Sequence, residues 1–74
     1  MIDRRTLLLY QLADAQQRVI GSEGRIRRHK DTIAHLQAAG RDTAIARELL
    51  DMALSTHAAH VAVCDRLKIQ ISQL

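Results

Sequence analysis

The side chains in this chain best suited to chemistry are His57, His60 and Cys64. They stand at i, i+3 and i+7, so a helix would carry all three along one face. Neutral imidazole and thiolate are zinc ligands, and this spacing could bring two or three of them to one ion. A fourth ligand could come from His29, Glu23 or a second copy of the chain. No CxxC pair and no HExxH helix accompanies them. The simpler reading makes them packing residues: imidazoles in a helical seam, hydrogen-bonded to Ser22, water or each other, and a thiol acting as a small core side chain. That reading is preferred, so no metal and no cofactor is expected. Histidines in a seam could also make assembly pH-sensitive, because protonation places charge there.

The second candidate is basic. Arg25, Arg27, Arg28 and Lys30 form the densest cationic run, with His29 inside it and Arg18 one heptad earlier. Arg18, Arg25, Arg28 and Lys30 could track a phosphate backbone. Acidic residues interrupt the run, and Asp14–Arg18 and Glu23–Arg27 have the helical spacing of ion pairs. The net charge of +3 selects no partner. No helix-turn-helix, zinc finger or stacking aromatic lies near. A solvated face is the preferred reading and nucleic-acid binding the alternative. Catalysis has little support. There is no Ser/His/Asp set and no phosphate-cradling glycine loop, and a narrow hairpin encloses no pocket. No catalytic residue is assigned and the chain is read as a non-enzyme.

The elements that must position these residues follow from the rest of the chain. Its 74 residues include no proline, three glycines and a single aromatic, Tyr10. That composition favours long helices with an aliphatic core, and no run alternates as a strand would. A reversal is demanded in one place, Gln37-Ala38-Ala39-Gly40-Arg41-Asp42-Thr43. Gly40 can take positive φ just past a helix end. Asp42 is expected to cap the next helix, with Thr43 as the alternative, and Asp3 to cap the first. The sequence therefore predicts an all-α fold in a single domain. Helix 1 covers about residues 4–39, the turn 40–42 and helix 2 43–74, as two long antiparallel helices in a coiled-coil-like hairpin.

The heptads agree. In helix 1 one seam position falls on Arg5, Leu12, Val19, Ile26 and Ile33, and the other on Leu8, Ala15, Ser22, His29 and Leu36. Helix 2 supplies Ala46, Leu50, Ala53, His57, His60, Cys64, Leu67, Ile71 and Leu74. Folding about Gly40 sets Ile33 against Leu50, Ile26 against His57, Ser22 against His60 and Val19 against Cys64. Large side chains face small ones in several layers. Leu12, Val19, Ile26, Ile33, Leu50, Leu67 and Ile71 would carry the hairpin. Gly21 and Gly24 lie off the seam. They are read as tolerated helical glycines; a kink, or close approach of another chain's helix, is the alternative.

Helix 2 has more apolar surface than one seam can use. Ile45, Leu49, Met52, Ala59 and Val63 form a second stripe beside the first. A helix apolar on several sides is buried on several sides. The expectation is a homodimer, two hairpins packed as a four-helix bundle with helix 2 central. The alternative is a monomer that docks a different protein through the stripe.

Cys64 has no internal partner, no leader with a cleavage site is visible, and the longest wholly apolar runs are far short of the ~20 residues that span a bilayer. A cytoplasmic protein without membrane contact is expected. The Gly-Arg-Asp-Thr turn lies between a helix rich in Arg, Gln and His and a second helix that opens Ala-Arg-Glu-Leu-Leu. This pattern resembles short alphaproteobacterial proteins of no assigned function, over about Val19 to Leu67. The resemblance implies a helical hairpin and transfers no site residues. Function is expected to lie in protein–protein interaction, as a structural or regulatory adaptor.

Overall fold

Two α-helices packed side by side make up the whole fold in the computed structural model, which describes residues Met1–Leu74. Helix α1 runs Arg4–Ala38 and α2 runs Ala44–Ser72. The molecule measures 57 × 15 × 15 Å. Its length is that of one 35-residue helix at about 1.5 Å per residue.

Local chemistry sets each end. Asp3 is extended, and its carboxylate accepts the Thr6 backbone N–H at 2.7 Å. This leaves one fewer orphan donor in the first turn. At the other end of α1 the Arg41 N–H donates to the Leu36 carbonyl at 2.8 Å, and the Gly40 N–H to Gln37 at 3.0 Å. That pair of bonds is a Schellman closure. It needs a left-handed residue, and Gly40, with φ of 67°, is the one residue that has positive φ.

The start of α2 differs from the expected cap. The N-cap position belongs to Thr43, not Asp42, and the Thr43 side chain makes no capping bond. Instead Asp42, one residue outside, accepts the Ala44 N–H at 3.1 Å. The Thr43 hydroxyl accepts from Arg47 Nε at 3.0 Å.

The core is the seam. Leu8, Ala15, Ser22 and Ile33 of α1 and Ala46 and Cys64 of α2 are buried. Leu12, Val19, Ile26, Leu36, Leu50, Ala53, His57, Leu67 and Ile71 are half-buried. No large side chain is fully buried, because a two-helix interface covers each residue from one side only. The seam is shorter than its heptads. Arg5 is exposed, and so is Leu74, since α2 stops at Ser72. Helix α1 continues unbroken through Gly21 and Gly24. A Cβ at Gly21 would meet nothing within 4 Å, and one at Gly24 would meet only Arg28 Nη1 at 3.7 Å.

Candidate functional site

At mid-seam the histidines separate. Ser22, buried, lies with its Oγ 2.7 Å from His57 Nδ1. The same hydroxyl donates to the Val19 carbonyl at 2.9 Å. Heptad register had set Ser22 against His60, but the imidazole that reaches it is His57. His60 lines an open polar groove with Gln17, Arg18, Gly21 and Arg25. Cys64 is a buried free thiol. No group of three or more His, Cys, Asp or Glu side chains is placed to hold one ion. His57, His60 and Cys64 therefore share a helix without forming a ligand set.

The basic run is divided by helical geometry. Arg18 and Arg25 wall the groove that contains His60, whereas Lys30 borders a different recess with Glu23, Ile26 and Arg27. At about 100° per residue, Lys30 turns to the flank of α1 opposite Arg18 and Arg25. The four cations proposed to follow one phosphate backbone thus do not share a face. Asp14 pairs with Arg18 at 3.2 Å, the one ion pair in the structure. The spacing of Glu23 and Arg27 is right for a pair that does not form.

The largest organised feature is apolar. Ile45 is 73% exposed, Met52 66%, Leu49 45% and Val63 39%, and Ala59 is exposed too. These residues share a face of α2 centred about 90° round the helix from the seam. Thr56 lies among them at the same three-four spacing. Leu49, Met52 and Thr56 line a groove against Ser22, Arg25 and His29 of α1. Val63 lines a separate groove with Gln11, Asp14, Ala15, Arg18, His60 and Leu67. Thr56 is polar, which hides it in an apolar pattern, but its spacing makes it a member of the stripe. Leu7, Leu9, Tyr10 and Ile69, towards the open end of the hairpin, are exposed as well. No helix is long and apolar enough to cross a membrane.

No protein-family model, curated protein or solved structure matches this chain. Its own surface therefore carries the functional reading.

Proposed function

We propose that this chain is a self-associating helical hairpin that works through protein–protein interaction, as a structural or regulatory adaptor. Two copies would pack α2 against α2 at the centre of a four-helix bundle. The observation that carries this reading is the stripe of Ile45, Leu49, Met52, Ala59 and Val63, left open to water by its own hairpin. Burying apolar surface is the main drive for association, and a contiguous exposed stripe marks where it acts. The thin core points the same way, since only five apolar side chains are buried within one copy.

Light scattering on the purified chain across a range of concentrations tests the proposal. A mass of twice 8.3 kDa supports it, and 8.3 kDa at every concentration overturns it. Polyanion binding is the weaker alternative, because the cations lie on different flanks of α1. Affinity for duplex DNA that falls steeply with salt would favour it.

A further inference from the structure

We infer that the second copy lies antiparallel along α2, about a two-fold axis that passes between Met52 and Thr56 at the level of Leu54, with Asp42 of each copy facing Arg66 of the other. This inference rests on the self-association proposed above and specifies its register. The stripe reads Ile45, Leu49, Met52, Thr56, Ala59, Val63, at spacing 4-3-4-3-4. That spacing is the same in both directions, so the stripe can face a reversed copy of itself. About Leu54 the reversal sets Leu49 against Ala59, Met52 against Thr56 and Ile45 against Val63. Each layer sets a longer or bulkier side chain against a smaller one, which lets side chains interdigitate.

The ends of the stripe carry the same symmetry in charge. Arg66 continues it within α2, three residues beyond Val63, and at the other end Asp42 stands just outside the helix, ahead of Ile45. Both are exposed, and neither is ion-paired within its own hairpin. The Ala44 N–H holds one oxygen of Asp42 at the head of α2. The reversal about Leu54 brings opposite charges together at both rims of the interface.

Other registers lose this match. A parallel pairing would set Asp42 against Asp42 and Arg66 against Arg66. Antiparallel registers shifted by one heptad would place Arg66 on Leu49, or Asp42 on Ala59. Each shift also shortens the apolar overlap. Like charges and misplaced charges discriminate between partners and registers more than they add affinity.

Charge exchange tests the register. Asp42→Arg and Arg66→Asp should each weaken the homodimer about tenfold or more, since both rims change from attraction to repulsion. Combining the two substitutions in one chain should restore it. An equimolar mixture of the single variants should form the heterodimer in preference to either homodimer, as read by native mass spectrometry. Arg66→Asp leaves the start of α2 untouched, and preference for the heterodimer requires both partners to be folded. A wild-type dimer that neither substitution weakens overturns the Asp42–Arg66 register while self-association stands. Loss of dimer in the single variants without recovery on mixing also overturns the register. A wild-type chain that is monomeric throughout overturns both readings.

Discussion

Ser22 Oγ bridges two partners, the Val19 carbonyl at 2.9 Å on its own helix and His57 Nδ1 at 2.7 Å across the seam. A hydroxyl has one hydrogen to give. With that hydrogen on Val19, the bond from α2 must be donated by His57, which assigns the Nδ1–H tautomer and leaves Nε2 with the lone pair. The imidazolium also carries an Nδ1 hydrogen, so this bond survives protonation. It is the one side-chain hydrogen bond that crosses the seam.

The tautomer is directly observable. Long-range nitrogen–proton NMR correlations should show His57 Nδ1 as the protonated nitrogen of the neutral ring. Ser22→Ala should cost about 1–2 kcal/mol through the unsatisfied imidazole, partly offset by about 0.5 kcal/mol of helix propensity. Combining Ser22→Ala with His57→Leu removes both polar partners, and the double variant should recover most of the loss in urea denaturation. Additive losses would contradict the pairing.

The three glycines should respond oppositely to the same change. Gly21 and Gly24 are helical with room for a Cβ, so each Gly→Ala should stabilise by up to about 1 kcal/mol. Gly40 is at φ 67°, where Gly40→Ala should cost about 1–2 kcal/mol. Thermal unfolding of the three variants distinguishes them. Destabilisation by Gly21→Ala would mean that a second copy covers the glycine face.

How much of this was legible follows from which interactions are local. Gly40 marked the reversal because the left-handed conformation is costly for nearly every other residue. The seam was legible because heptad spacing repeats over many turns, which averages out single exceptions such as Arg5. Single contacts were not legible to the same degree. Register locates backbones, but a side chain reaches up or down a turn, and Ser22 is met by His57 instead of His60. The basic run was dense in sequence yet divided in space, because Arg28 and Lys30 are only two residues apart and so point to different sides of α1. At the start of α2 the acidic side chain was placed correctly as the acceptor, but the helix begins one residue later than Asp42 alone would set it.

The first turn of α1 should loosen in acid. The Thr6 backbone N–H, then the Thr6 side chain and nearby Arg5, hold the Asp3 carboxyl below its ordinary range. A carboxyl lowered in the folded state stabilises that state above its unfolded pKa, and the contribution is lost as pH falls through the lowered value. Hydrogen exchange of the Thr6 amide should therefore lose protection on the acid side. Asp3→Asn should show no such transition at this position, and an unchanged profile would contradict the capping role.

The most direct measurement is the solution mass of the wild-type chain beside Leu49→Asp. Leu49 is 45% exposed and lies outside the buried seam, so the substitution should leave helix content intact in circular dichroism. In the assembly it would place an unpaired charge on a buried stripe. The prediction is a dimer for the wild-type chain and a folded monomer for Leu49→Asp at the same concentration. A wild-type monomer, or a Leu49→Asp variant that remains fully dimeric, would contradict the assignment of this stripe as the surface through which the protein acts.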